Sequence, residues 1–146
     1  MISETITAEK ILFEEEVGLT AIHEFGFSWT DFVNGKPVPP EGARFDIAFE
    51  GRVSGDRLSG TVSGVDYLEV RSDGKLLLNL QATLTTRDGE RIKLTETGIN
   101  DNGELRLNMH FHTASSQYRW LNKLQVWGIG RVDFASGRVH IKGLLI

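Results

Sequence analysis

Through most of this chain apolar and polar side chains alternate with a period of two, and glycine-containing pairs interrupt the alternation at intervals. Ala43, Phe45, Ile47 and Phe49 alternate with Arg44, Asp46, Ala48 and Glu50. Leu78, Leu80, Ala82 and Leu84 alternate with Asn79, Gln81, Thr83 and Thr85, and Leu105, Leu107, Met109 and Phe111 with Arg106, Asn108, His110 and His112. The same beat runs through Ile92 and Leu94 and through Val139, Ile141, Gly143 and Leu145. A period of two is that of a strand with one face on a core and one on water. Asn34-Gly35, Gly55-Asp56, Asp73-Gly74, Asp88-Gly89, Asn102-Gly103 and Ser136-Gly137 are pairs that accept the positive φ of tight hairpin turns. Strands joined in order by short turns form an antiparallel meander, and closing it into a barrel removes the exposed edges. The expected fold is therefore all-β, a single antiparallel up-and-down β-barrel over residues 1–146. A two-sheet sandwich is the runner-up, because turn spacing alone does not separate the two.

Two segments break the alternation. Asn34 to Gly42 holds all three prolines and reads as a loop at one end of the barrel. Ser115 to Asn122 follows a serine-rich start and spaces Tyr118 and Leu121 three apart, which predicts one short helical turn near 115–122 that plugs a barrel mouth. The apolar ending Gly143-Leu144-Leu145-Ile146 reads as a docked strand.

With 146 residues, 40% hydrophobic and 25% charged, the chain is long enough to bury a core without cross-links. It has no cysteine, which excludes disulfides, thiolate catalysis and cysteine-held metals. A net charge of −4 with scattered basic residues argues against nucleic acid or an anionic membrane as partner. The start Met1-Ile2-Ser3-Glu4 lacks a basic leader and apolar h-region, and no apolar run approaches the ~18 residues of a membrane span, so a cytoplasmic protein is expected. Closed two-fold dimers are the commonest oligomers, which makes a homodimer the assembly to expect.

A set of motifs in the last two-thirds of the chain is more specific. It comprises Gly60 and Gly64-Val65-Asp66-Tyr67, then Arg71-Ser72-Asp73-Gly74, Leu84-Thr85-Thr86-Arg87-Asp88-Gly89 with Ile92, and Gly98. Phe111-His112-Thr113, Tyr118-Arg119-Trp120-Leu121-Asn122 and Gly128-Ile129-Gly130 complete it. In these residues the chain resembles a bacterial domain of unknown function, family 3237 (uncharacterised protein family 0311). The family usually carries tryptophan where Tyr67 stands and arginine near Gln81. The resemblance implies an antiparallel barrel of lipocalin-like build and implies no particular reaction.

Candidate chemistry follows from parity. Extending Leu58, Gly60, Val62 and Gly64 by two places Asp66 on the inward face, and extending Ile92 and Leu94 does the same for Glu96. Ile11, Phe13, Val17 and Leu19 share a face with Glu15, although Glu15 stands in the run Glu14-Glu15-Glu16, which reads as a solvated edge. The same register carried onward puts His23, Phe25, Phe27 and Trp29 inward. An inward carboxyl without a cation has its charged form disfavoured and becomes suited to proton transfer near neutrality. Asp66 and Glu96 are accordingly the candidate catalytic residues, for isomerisation, cyclisation or hydrolysis without a cofactor. The bland alternatives are an Asx-type backbone contact for Asp66 and an ion pair or rim position for Glu96. Tyr67, Tyr118, Trp120 and Trp127 cluster in the motif-bearing half and, with His23, are the candidate ligand-binding residues. Plain packing accounts for the same aromatics equally well.

His110 and His112, two apart on one strand, share a face that could hold a metal, but Gln117 stands where a further acidic ligand belongs and His140 is the only remaining partner. A polar, solvated face is the expectation, with no metal and no cofactor. No phosphate-cradling loop, nucleophile elbow or His-Glu-x-x-His is present. The expected function is small-molecule binding in the barrel lumen or mouth. The alternatives are cofactor-free acid–base catalysis and a structural homodimer with a filled barrel.

Overall fold

The computed structural model describes residues 10–145. Eight antiparallel strands close into a barrel in chain order: β1 (Ile11–Glu24), β2 (Ala43–Ser54), β3 (Gly60–Val70), β4 (Leu76–Thr86), β5 (Arg91–Asp101), β6 (Glu104–His112), β7 (Val126–Asp133) and β8 (Arg138–Leu145). Pairing of β1 with β8, from Ile11↔Leu144 to Gly18↔Arg138, closes the ring and decides for the barrel over the sandwich. Ile146 of the expected final strand lies outside the described residues. Among the described residues no helix is long and apolar enough to cross a membrane.

The alternating residues point as their period requires. On β4, Leu78, Leu80, Ala82 and Leu84 are buried, and on β6 so are Leu105, Leu107, Met109 and Phe111. The turn between β5 and β6 shows why its residues were readable. Asn102 and Gly103 have φ of 52° and 89°, the pair of positive values that a two-residue hairpin takes, and Asp101 pairs with Glu104 across it. Inward glycines serve tight coiling. A Cβ on Gly98 would stand 1.9 Å from the Arg106 carbonyl oxygen, so β5 and β6 can approach this closely only at glycine.

Both ends of the barrel carry a short helix. The expected turn near 115–122 is a 3₁₀ helix, Arg119–Lys123, whose Leu121 is fully buried beneath one mouth. Asn122 ties it down: its amide accepts from Thr113 N–H at 2.9 Å and donates to Thr113 O at 2.8 Å. The opposite mouth is covered by α1 (Trp29–Val33), which the alternation did not announce. Ser28 caps it by accepting from Asp31 N–H at 3.0 Å, and Glu24 accepts from Trp29 N–H at 2.7 Å.

The extended register of β1 is corrected here. A bulge between Leu19 and Ala21 moves the later residues to the other face, so Ile22 packs against the core and His23 is exposed. Phe25 is exposed as well. Trp29 does reach the interior, but from α1.

Candidate functional site

The lumen is divided. Toward the 3₁₀ helix it is packed solid: Phe13 meets Phe111 edge-on at 6.0 Å between centroids, and Leu84, Ile92 and Leu94 are fully buried around them. Toward α1 it holds a cavity of about 60 Å³, walled by aliphatic residues such as Leu68, Leu78, Leu80 and Leu107. Trp29 and Phe134 roof it with rings 6.0 Å apart, and Trp29 stands edge-on to Phe45 at 5.1 Å. A cavity this size accommodates about four waters, so an organic guest of any size enters only as the roof moves. The roof is built for that. α1 is five residues long, buries none of them fully, and is flanked by Gly26 and Gly35 at φ of 92° and 84°.

Two polar side chains line the cavity, Asp66 and Asn100. Asn100 is committed to the adjacent turn, where its amide oxygen accepts from Gly103 N–H at 2.7 Å. Asp66 is anchored at one oxygen only. The β3–β4 register runs to Asp66↔Leu80 and resumes at Glu69↔Leu77, and in the interval Asn79 N–H donates to Asp66 Oδ1 at 3.0 Å. Oδ2 is engaged by no hydrogen bond among the described residues. The backbone contact anticipated for Asp66 thus exists, made across strands and not within a turn, and it coexists with an inward position. Burial raises this carboxyl from its ordinary 3.8 to about 6, the Asn79 N–H opposes the rise, and the negative charge of Asp46 adds to it.

Glu96 lies in the same row as Asp66, one strand beyond Leu80, with Met109 on its far side. It is 0% exposed and Glu15 1%. Glu15 comes from β1, opposite β5 in the ring, so the two carboxyls meet across the lumen. Neither finds a donor elsewhere. Burial raises both, Glu15 from 4.5 to about 7 and Glu96 well above its ordinary range. Glu96 is raised further by the Glu15 charge and by donating its own proton to Glu15, which lowers Glu15 in turn. The solvated edge expected for Glu15 is thus corrected: the strand's parity governs its position, and the charge run does not.

The other candidate residues lie elsewhere. Tyr67 and Trp127 point outward, 37% and 49% exposed, each beside an inward residue of its own strand. Tyr118 and Trp120 stand at the far mouth. There the Tyr118 hydroxyl donates to Asp88 at 3.1 Å, Trp120 Nε1 donates to Gln117 O at 3.1 Å, and the Arg57 guanidinium lies 3.9 Å above the Trp120 ring. His110 and His112 face solvent on β6, and among the described residues no three acidic or imidazole groups are placed to hold a metal ion. The aromatics at the cavity are Trp29, Phe49 and Phe134. The signal for the roof was Ser28-Trp29-Thr30-Asp31, an N-cap with an acid three residues on.

Known proteins share this architecture. A β-barrel-like protein from Acinetobacter baumannii AYE superposes with a TM-score of 0.76 at 23% identity, over 93% of each chain. A protein of unknown function from Clostridium acetobutylicum ATCC 824 gives 0.76 at 22% identity, over 94% of this chain and 95% of the other. An enzyme from Penicillium herquei gives 0.65 at 18%, over 98% and 99%. At these identities the likeness is one of fold. In sequence, 79 residues are 32% identical to the hydroalkoxylation enzyme phnH of Penicillium herquei. That match covers 53% of this chain and 50% of the enzyme, so the chain spans about half the length of the curated relative. Residues 36–104, which include Asp66 and Glu96, match the family described as Protein of unknown function (DUF3237), the family that the turn and aromatic motifs resemble.

Proposed function

We propose that this barrel binds a small, largely apolar organic molecule beneath the α1 roof and that Asp66 transfers a proton to or from it, without a cofactor. The observation that carries this reading is Asp66 itself. It is the one acid on an otherwise aliphatic and aromatic cavity wall, held by one oxygen and free at the other. A carboxyl that titrates near 6 is present in both forms around neutrality and can serve as acid and then base.

The similarity to a hydroalkoxylation enzyme supports a reaction of that kind. In such an addition Asp66 gives its proton to one carbon of a C=C bond, whose π pair forms the new C–H bond. A hydroxyl oxygen of the substrate bonds to the other carbon, and the hydroxyl proton returns to the Asp66 carboxylate. Atoms and charge balance within substrate and side chain, and the product is an isomer of the substrate. Apolar walls suit such a substrate and keep water from competing with its hydroxyl.

The test uses hydroxyl-bearing alkenes and phenols in a thermal-shift screen, followed by incubation of the hits in D₂O. The expected result is a cyclic ether carrying one deuterium on carbon with the wild-type protein and none with Asp66→Asn. Hits that stabilise the wild type but are never converted would reduce the reading to binding alone. Equal conversion by the variant would remove Asp66 from the chemistry.

A further inference from the structure

We propose that Glu15 and Glu96 are positioning residues for Asp66, a carboxyl pair spanning the lumen whose single negative charge holds the proton on Asp66 at neutral pH. This rests on the reading of Asp66 as the proton-transferring group.

The geometry isolates an acidic chain inside an apolar barrel. Glu15 is flanked by Val53 on β2 and Ile141 on β8, and Glu96 by Leu80 on β4 and Met109 on β6. The charged groups near the row are all acids: Glu15, Glu96, Asp66, and Asp46 on the neighbouring position of β2. The nearest cation, Arg44, has its Nε 3.9 Å from Asp46 on the outer side of the wall, and the exposed His23 is paired in register with Asp46. Asn79 contributes its N–H and no charge. Two carboxyls in contact in such surroundings retain one proton between them, because both cannot ionise side by side. Glu96, as donor, is the holder and Glu15, as acceptor, carries the charge.

A lone pair of acids is a costly way to fill a core that elsewhere uses Leu, Ile, Phe and Met. Their placement gives the cost a purpose. Glu96 and Asp66 are two strands apart, about 10 Å at ~4.8 Å per strand. At that distance and an effective dielectric of ~20, one negative charge raises a neighbouring carboxyl by about one pH unit. Neither glutamate lines the cavity, so each acts on substrate only through Asp66.

The test is a ¹³C NMR titration of the Asp66 carboxyl, its signal assigned by its loss in Asp66→Asn, in the wild type and in the double variant Glu15→Gln, Glu96→Gln. The two amides fill the same volume and can bond each other, so the fold is retained, as far-UV circular dichroism would record. The expected outcome is a fall of about one unit in the Asp66 midpoint in the double variant, a change that mere loss of packing would not produce. A midpoint that stays in place in a folded double variant overturns the proposal. The titration needs no substrate, so it stands or falls separately from the D₂O assay, which judges the reaction assigned to Asp66.

Discussion

The buried acids make stability run against the usual direction of pH. An acid whose folded-state pKa is raised binds its proton more tightly in the folded protein than in the unfolded chain. Its contribution is complete below the unfolded pKa and is lost as pH climbs through the folded one. For Asp66 the interval runs from 3.8 to about 6, and for Glu15 from 4.5 to about 7. At ~1.4 kcal/mol per unit these are losses of about 3 kcal/mol each. Glu96 moves in the same direction. Asp73, Asp88 and Asp133, held low first by hydrogen bonds from Lys75 N–H, Thr86 and Ser136 respectively, oppose this as acids of exposed turns that solvent screens. The net expectation is a fall of about 5 kcal/mol between pH 4 and pH 8, a large part of the 5–15 kcal/mol typical of a domain. Urea unfolding followed by circular dichroism at pH 4, 6 and 8 measures it. Glu15→Gln should recover about 3 kcal/mol at pH 8 and almost nothing at pH 4, with an unchanged m-value. A wild-type stability that is flat or rises from pH 4 to pH 8 would refute the reasoning, because the carboxyls would then have to be ionised at little cost where they lie.

Two further outcomes concern the two halves of the lumen. Leu78→Phe fills the cavity beneath Trp29; it should abolish the thermal shift given by any ligand of the wild type while lowering stability by only about 1–3 kcal/mol through overpacking. A shift that persists would place the ligand outside the lumen. Asn122→Ala removes both hydrogen bonds that clamp the 3₁₀ helix to Thr113 and should cost about 2 kcal/mol in urea unfolding, leaving ligand shifts intact because that mouth is remote from the cavity. Loss of ligand response at unchanged stability would contradict the assignment of the two ends.

How far the molecule could be read in advance depended on which physical rule governed each residue. Parity was sufficient for Asp66 and Glu96, because β3 and β5 run from their turns to these positions without a register change. It was also sufficient for Glu15, where charge clustering pointed the other way. A strand between two neighbours imposes its alternation regardless of what its residues are, and Glu14 and Glu16 take the outer face on either side. His23 was illegible for the converse reason. The bulge after Leu19 reverses the face, and Gly18-Leu19-Thr20-Ala21 carries no local signal for it. Tyr67 and Trp127 were open to a better reading. Asp66 inward obliges Tyr67 outward, and Val126 and Gly128 do the same to Trp127, so composition was weighed where parity already answered. Closure itself rests on β1 meeting β8, a contact across nearly the whole chain that no local pattern encodes.

The division of the lumen explains why a barrel so densely filled can still have a site. At the 3₁₀ end, aromatic and aliphatic side chains from most strands interlock, and the hairpins there are fixed by Leu121 and the Asn122 clamp. That end supplies the rigidity. At the α1 end the strands outrun their filling, the β3–β4 ladder yields to the Asp66–Asn79 contact, and a five-residue helix between positive-φ glycines replaces solid packing. The acids lie along the boundary between the two regions. Placed deeper in the packed half they would reach nothing, and placed nearer the mouth they would be solvated and titrate as ordinary carboxyls. At the boundary, Asp66 touches the space where a guest fits while Glu96 and Glu15 stay dry behind it. A reactive carboxyl near neutrality requires that combination of contact and dryness, and the uneven filling of one closed sheet provides both.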